Sequence, residues 1–155
     1  VYVIENNQWG MGTSVRNAIA NADNFSKKVA EAYGMGWYLI DGMDIFNCYA
    51  TFQKAFHESL STQRPLLIEC RTERFKGHSI SDPGLYRTKE SLKACMSRDP
   101  IILMKQELEK RKLITEDEFQ EYDKQMKEIA VAAMKFAEES PWPDSITLEE
   151  DVYAP

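Results

Sequence analysis

The 155-residue sequence lacks the marks of several protein classes. Its 19 lysines and arginines are outnumbered by 25 acidic residues, which gives a formal charge of −6, and they are scattered, so no basic patch for nucleic acid is present. No apolar run approaches the roughly 18 residues of a membrane span, and the start has no signal-peptide pattern. We therefore expect neither nucleic acid nor membrane as a partner, and a reducing compartment such as the cytoplasm.

Cysteine is also scarce. The three cysteines, Cys48, Cys70 and Cys95, form no CxxC pair, and we interpret them as buried thiols. The sequence begins at Val1 inside an apolar, strand-like segment without an initiator methionine. We therefore expect a fragment of a longer protein, with an unpaired sheet edge that causes self-association or marginal stability.

Short apolar segments predict three β-strands, at residues 1–5, 37–40 and 64–72. The last of these, RPLLIECRT, is almost continuously apolar, which is typical of a parallel strand covered on both faces. Apolar residues at helical spacing predict helices at residues 25–35 and 44–62, the second with an aspartate cap. The order of strand, helix and strand indicates an α/β fold with a parallel sheet flanked by helices.

The rest of the sequence predicts helices at residues 87–97, 100–112 and 115–139, the last opened by a Thr–Glu capping box. Three of the six prolines fall after residue 140, which predicts an irregular tail. The predicted division is an α/β domain at residues 1–86, a helical region at 87–140 and a tail at 141–155.

The loop ENNQWGMGTS, residues 5–14, follows the first predicted strand. Ligands of open α/β sheets gather at the carboxyl ends of the strands. Asparagine carbonyls are neutral oxygen ligands suited to Mg²⁺, and glycines let a backbone approach a ligand closely. Asparagines in loops are also common turn formers, so this loop alone leaves both interpretations open.

A second loop, RTERFKGHSISDPGLYR at residues 71–87, leaves the end of another predicted strand. Such a long connection is usually either functional or mobile. Its histidine, His78, can donate to a phosphate or transfer a proton near neutral pH. A solvated surface loop with an aspartate-capped turn is the alternative interpretation.

Taken together, the two loops resemble a known family. ENNQWGMGTS and RFKGHSISDPGLYRTKE are similar to the alpha subunits of the acetyl-transferring pyruvate dehydrogenase component, within the thiamine-diphosphate-dependent 2-oxo acid dehydrogenases. The likeness includes DGMD at residues 41–44 and SRDPI at 97–101, and it covers nearly the whole chain, which would correspond to the C-terminal half of such a subunit. The resemblance implies a partial thiamine-diphosphate-binding fold, an oxidoreductase activity, and thiamine diphosphate and Mg²⁺ as cofactors.

The resemblance also implies roles for particular residues. The Asn7 side chain and the Trp9 backbone carbonyl would be Mg²⁺ ligands, and Gly10 and Gly12 would let the chain turn beside the diphosphate. His78 would be catalytic, contacting the diphosphate at the mouth of the active site and assisting acetylation of the lipoyl group. The residues implied to order its loop are Arg74, Ser79, Asp82, Tyr86 and Arg87.

The implied reaction is oxidative decarboxylation of pyruvate with transfer of the acetyl group to lipoyl-lysine of the dihydrolipoyl acetyltransferase, which links glycolysis to acetyl-CoA biosynthesis. The implied assembly is an α₂β₂ heterotetramer with the pyruvate dehydrogenase beta subunit. The family's Gly-Asp-Gly motif, whose aspartate is a Mg²⁺ ligand, does not occur in this sequence. We therefore expect this chain alone to be inactive.

Three alternatives accompany this interpretation. Acetoin dehydrogenases share the GMGT sequence, and branched-chain 2-oxo acid dehydrogenases are a further relative, although GMGTS and GHSISDPG favour pyruvate. A non-catalytic helical interaction domain would belong to a different class, with its informative residues on the helices rather than the loops. The segment PGLYR is one residue shorter than in regulated mitochondrial members and lacks their third phosphorylated serine, which favours bacterial cytoplasm over the mitochondrial matrix or a plastid.

Overall fold

A computed structural model of the chain describes residues 1–152. The elements, in chain order, are β1 (Tyr2–Asn6), β2 (Trp9–Gly10), β3 (Thr13–Ser14), α1 (Val15–Ala18), α2 (Phe25–Ala32), β4 (Gly36–Asp41), α3 (Ile45–Thr62), β5 (Leu66–Arg71), α4 (Lys89–Met96), α5 (Pro100–Lys110), α6 (Glu116–Glu139) and a 3₁₀ helix (Ser145–Leu148).

The main sheet has the strand order β1-β5-β4, and both neighbouring pairs are parallel. This confirms the predicted α/β class with a parallel sheet flanked by helices. Tyr2 pairs with Leu67 at one end of β1, and Asn6 pairs with Arg71 at the other. Since Asp41 also pairs with Arg71, the carboxyl ends of all three strands meet at one edge of the sheet.

The core lies around the central strand β5, whose first five residues are all buried. A strand flanked on both sides by partners and covered on both faces needs such a continuous run. The side chains of the main core cluster come from β4, α3 and β5: Ile40, Ala55, Leu66, Ile68 and Cys70. Tyr38, Cys48 and Phe52 pack against this cluster, so the middle of the predicted apolar stripe of α3 faces the sheet. Three other residues predicted on that stripe, Ile45, Phe56 and Leu60, are exposed.

Capping residues define two helix starts as predicted. Asp44 accepts hydrogen bonds from the backbone of Phe46 and Asn47 at 3.0 and 3.1 Å at the start of α3. Thr115 and Glu118 form a reciprocal capping box at α6, and the hydrogen bonds from Thr115 hold the pKa of Glu118 below its usual value.

Other bounds differ from the sequence-based expectation. Helix α2 ends at Ala32, three residues early, because the chain turns through Gly34 at a φ of +63° and enters β4. Residues 9–14, expected as an open loop, contain the short antiparallel pair β2–β3. The tail, expected to be irregular, contains a 3₁₀ turn in which the Asp144 side chain accepts from the Ile146 backbone.

The chain separates into two compact units, residues 1–108 and the part from Glu109 onward. The second unit contains the 24-residue helix α6, on which no residue is buried. The domain borders expected at residues 86 and 140 stay predictions. Within residues 1–152, no helix combines the length and apolar character needed to cross a membrane.

The turn after β4 yields a stability prediction. Gly42 donates its N–H to the Arg71 carbonyl at 2.7 Å, and a Cβ on Gly42 would lie 2.9 Å from that oxygen and 2.6 Å from Thr72 Cγ2. We expect Gly42→Ala to lower the free energy of unfolding by about 1–3 kcal/mol, the usual effect of overpacking, in urea denaturation. Gly10→Ala is the matched control, because a Cβ there meets only the Thr13 carbonyl oxygen, at 4.0 Å. Equal stability of the two variants would contradict the predicted clash.

Candidate functional site

The first loop begins with two asparagines that face different surroundings. Asn6, the last residue of β1, is 5% exposed, and its Nδ2 donates to Glu69 Oε1 at 2.7 Å. Its Oδ1 accepts from the Gln8 backbone N–H at 3.0 Å. Both ends of the Asn6 amide are therefore engaged within the protein.

Asn7 is half-buried and belongs to the loop itself. Its Oδ1 accepts from the Trp9 backbone N–H at 3.0 Å, an Asx turn that spans Gln8, whose φ is +68°. An amide oxygen has two lone pairs, so this bond leaves Asn7 one acceptor position. Trp9 then pairs with Ser14 in the β2–β3 ribbon, which gives the turn a fixed base.

The first loop offers two oxygen atoms as possible ligands for the implied Mg²⁺. Asn7 Oδ1 and the Trp9 carbonyl are neutral oxygens, the type that hard divalent cations accept. Among residues 1–152, no group of three or more histidine, cysteine, aspartate or glutamate side chains is arranged to hold a metal. The loop therefore fits part of an oxygen-coordinated cation site, and an octahedral ion would need further ligands.

Asp82 is the centre of the second loop. Its carboxylate accepts from the backbone N–H groups of His78 and Gly84, at 2.7 and 2.8 Å, and from the Tyr86 hydroxyl at 2.9 Å. The bond from the His78 backbone, followed by those from Gly84 and Tyr86, lowers the pKa of Asp82. The same contact raises the pKa of Tyr86. One carboxylate thus defines the conformation of residues 78–86.

The other residues implied to order the loop differ in their contacts and in their exposure. Arg87 donates to the Arg74 carbonyl and so closes the base of the loop. Arg74 Nη1 lies 3.4 Å from His78 Nδ1, and the His78 ring is exposed. Ser79 is exposed, with its hydroxyl 3.0 Å from that of Ser81.

The two loops meet at Tyr86. Its ring centroid lies 4.9 Å from that of Trp9, with the ring planes at 44°. A Cβ on Gly12 would lie 3.3 Å from Tyr86 Cδ1, so glycine at this position lets the ribbon approach the ring. At Gly10 the surroundings are open. The structure thereby brings Trp9, Gly12, Asp82 and the His78 loop into one contiguous region at the carboxyl edge of the sheet.

A polar cluster beside this region was not predicted from the sequence. Arg98 bridges Asp41 at 2.5 Å and Glu73 at 3.6 Å, which ties the end of β4 to the segment after β5. The thiol of Cys95 donates to Glu73 Oε2 at 2.9 Å and accepts from Arg87 Nη2 at 2.8 Å. Burial, reinforced by the Glu73 carboxylate, raises the pKa of this thiol.

The cysteines are buried to different degrees. Cys70 and Cys95 are buried thiols, as expected, whereas Cys48 is half-buried. Burial raises the pKa of Cys70 to about 11. All three are free thiols.

Glu69 is the other residue that sequence reasoning missed. It is 1% exposed in the middle of β5, and it binds Asn6 and the Ser26 hydroxyl. The signal was present, because a single carboxylate interrupts the otherwise apolar run LLIEC. Lys, Glu, Arg and Asp are almost never fully buried without a partner. A buried Glu69 therefore implies a polar partner, but the sequence alone does not identify it.

Comparison with known proteins agrees with the resemblance seen in the sequence. The family described as "Dehydrogenase E1 component" matches residues 1–146. "Pyruvate dehydrogenase E1 component subunit alpha" of Rickettsia felis is 37% identical over 153 residues, covering 99% of this chain and 46% of the relative. The protein of the same name from Rhizobium meliloti is 37% identical, covering 98% and 43%. A chloroplastic alpha-3 subunit from Oryza sativa subsp. japonica is 32% identical, covering 99% and 36%. The chain spans at most about half the length of these relatives.

The role of Asp82 yields a prediction. Asp82→Asn removes the charge that holds the N–H groups of His78 and Gly84, so we expect faster trypsin cleavage after Lys76 at neutral pH. Because the folded-state pKa of Asp82 is lowered, its stabilisation is present above the ordinary value of 3.8 and is lost as pH falls through the lowered folded value. The parent loop should therefore loosen in acid. Asp117→Asn, the same change in helix α6, is the control, and equal cleavage rates in the two variants would contradict the role of Asp82.

Proposed function

The chain belongs to the dehydrogenase E1 component family, and from that premise we propose that it is part of the alpha subunit of a pyruvate dehydrogenase. The proposed reaction is thiamine-diphosphate-dependent oxidative decarboxylation of pyruvate, with transfer of the acetyl group to lipoyl-lysine of the dihydrolipoyl acetyltransferase. The observation that carries the proposal is the family match over residues 1–146, which includes both loops at the carboxyl edge of the sheet. The names of the relatives support pyruvate as the substrate.

We propose that the first loop holds the cofactor's Mg²⁺ through Asn7 Oδ1 and the Trp9 carbonyl. Two features support this metal site: both ligand atoms are neutral oxygens, and the Asx turn fixes the backbone between them. Gly10 and Gly12 would let the chain turn beside the diphosphate. Bound thiamine diphosphate supplies the nucleophilic carbon and the electron sink for decarboxylation. The residues of this loop bind and orient.

We propose that the second loop shapes the mouth of the site. His78 would donate to the diphosphate and assist transfer to the lipoyl group, since an imidazole can hold or release a proton near neutral pH. Arg74 lies next to the His78 ring, and Asp82 fixes the His78 backbone. Tyr86, Arg87 and Ser79 would order the rest of the loop. The contact between Trp9 and Tyr86 supports the placement of both loops at one site.

The partners are proposed on the same basis. A complete enzyme would be an α₂β₂ heterotetramer with a pyruvate dehydrogenase beta subunit, and it would act on the lipoyl domain of the acetyltransferase. The part of the chain described here offers only two neutral metal ligands, so we propose that this chain alone is inactive. We propose the bacterial cytoplasm as the location of this chain, because the more similar of the relatives named above are bacterial. A chloroplastic relative is also similar to it.

The proposal predicts the effect of one substitution. Asn7→Ala, made in the full-length alpha subunit assembled with its beta partner, removes a proposed metal ligand. We expect Mg²⁺-dependent binding of thiamine diphosphate to weaken by more than about 100-fold, since residues that merely support metal ligands already cost about 10- to 100-fold. Isothermal calorimetry measures this directly.

The control is Asn47→Ala, which removes an exposed asparagine at the start of α3. We expect this variant to bind the cofactor like the parent. Unchanged binding in Asn7→Ala would overturn the assignment of the first loop and favour a domain that serves only for docking.

A further inference from the structure

Glu69 places a carboxyl group where a polar side chain is unfavourable. It lies on the central strand β5 and is 1% exposed, and its neighbours on the same face of the strand are the buried Leu67 and the half-buried Arg71. Taking a carboxylate out of water is costly unless it is well hydrogen-bonded. An apolar side chain at this position would fill the core without this cost. The carboxylate is therefore explained by the groups that it binds.

The two oxygens of Glu69 bind in different directions. Oε1 accepts from Asn6 Nδ2 at 2.7 Å, at the end of β1. Oε2 accepts from the Ser26 hydroxyl in the first turn of α2, and Ser26 in turn accepts from Trp37 Nε1 at 3.0 Å. Arg71 Nε lies 3.5 Å from Oε1 and offsets part of the charge. One side of the carboxylate therefore serves the first loop, and the other serves the helix that covers the sheet.

The bond to Asn6 continues into the loop. While its Nδ2 is bound to Glu69, Asn6 uses Oδ1 to hold the Gln8 N–H at 3.0 Å. Its backbone carbonyl also accepts from the Thr72 N–H at 3.1 Å. Gln8 lies between Asn7 and Trp9, the two residues whose oxygens are directed to the metal in the proposed function. A continuous chain of bonds thus runs from Glu69 through Asn6 to the backbone between those oxygens.

We propose that Glu69 is a positioning residue for the metal-binding loop, acting through Asn6 on the Asn7–Trp9 turn. Both of its oxygens are bound inside the protein, so it acts without touching the metal or the cofactor. The inference rests on the proposed function, because it assigns Mg²⁺ to that turn. It assigns two further residues, Glu69 and Asn6, to the support of the site. The two consecutive asparagines then differ in role: Asn6 positions the loop, and Asn7 binds the metal.

The test uses the full-length alpha subunit assembled with its beta partner, titrated with Mg²⁺ at saturating thiamine diphosphate. Glu69→Met keeps the length of the side chain and removes both acceptors, and we expect about tenfold weaker Mg²⁺ binding, the scale on which supporting residues act on metal sites. Ser26→Ala is the matched control, because it removes the bond on the opposite side of the same carboxylate. It should lower the melting temperature and leave the Mg²⁺ affinity within about twofold of the parent, whereas a purely structural role for Glu69 would make the two variants alike.

Two further variants keep the test decisive should Glu69→Met fail to fold. Asn6→Ser retains a short hydroxyl that can hold the Gln8 N–H but cannot reach Glu69, so it should weaken Mg²⁺ binding about tenfold on its own. Glu69→Gln keeps an oxygen that can accept from Asn6, so this variant should retain most of the parental Mg²⁺ affinity. Parental Mg²⁺ affinity in Asn6→Ser, or a loss in Glu69→Gln as large as that in Asn6→Ser, would overturn the proposal.

The outcome separates this inference from the function on which it rests. If Asn7→Ala abolishes Mg²⁺ binding while Asn6→Ser leaves it intact, the loop binds the metal and the role of Glu69 is wrong. If Asn7→Ala itself leaves Mg²⁺ binding intact, the proposed function of the loop is wrong, and the inference falls with it.

Discussion

The buried hydrogen bonds of Glu69 are the constraint on which this end of the molecule depends. The carboxylate lies on the central strand, and its partners come from β1, from α2 and, through Ser26, from Trp37 on β4. Apolar contacts can be satisfied in several registers, whereas these bonds require one alignment of the three strands. Moving β1 by one residue would place the Asn6 side chain on the opposite face of the sheet from Glu69 and leave Glu69 Oε1 without this buried hydrogen bond.

The alignment matters because the candidate site is built on strand ends. Asn6, Asp41 and Arg71 lie in register at one edge of the parallel sheet, and each is followed by a segment that carries polar side chains. Arg98 joins the ends of β4 and β5 by contacting Asp41 and Glu73. Above that base, Tyr86 joins the two long loops by packing against Trp9 while its hydroxyl is held by Asp82. A sheet that is rigid at its centre thereby carries a site assembled from segments distant in sequence.

The features that the sequence predicted correctly are those governed by local rules. The short apolar segments at residues 1–5, 37–40 and 64–72 predicted the strands, and the order of elements predicted that they are parallel. The caps at Asp44 and Thr115 follow from side chains that bond to backbone only two or three residues away. The resemblance to the family rested on two linear motifs and is confirmed by the match over residues 1–146.

What the sequence could not predict depends on contacts between distant residues. The bond between Asn6 and Glu69 spans 63 positions, and no local pattern announces it. Both asparagines could equally have been turn formers, and in the structure each does accept a local backbone N–H; only the distant partner gives Asn6 its second task. The approach of Gly12 to the Tyr86 ring, 74 positions away, could not be predicted either, and its place beside the diphosphate stays a prediction. The metal ligands and the role of His78 stay predictions.

The most direct test of the account is a double-mutant cycle between Asn6 and Glu69, with the Mg²⁺ dissociation constant of the assembled enzyme as the readout. Asn6→Ser and Glu69→Met remove the same hydrogen bond from its two ends. If Glu69 acts through Asn6, the double variant binds Mg²⁺ no more weakly than the weaker-binding of the two single variants. Losses that multiply, as they do for residues that act independently, would show that Glu69 does not act on the metal loop through Asn6.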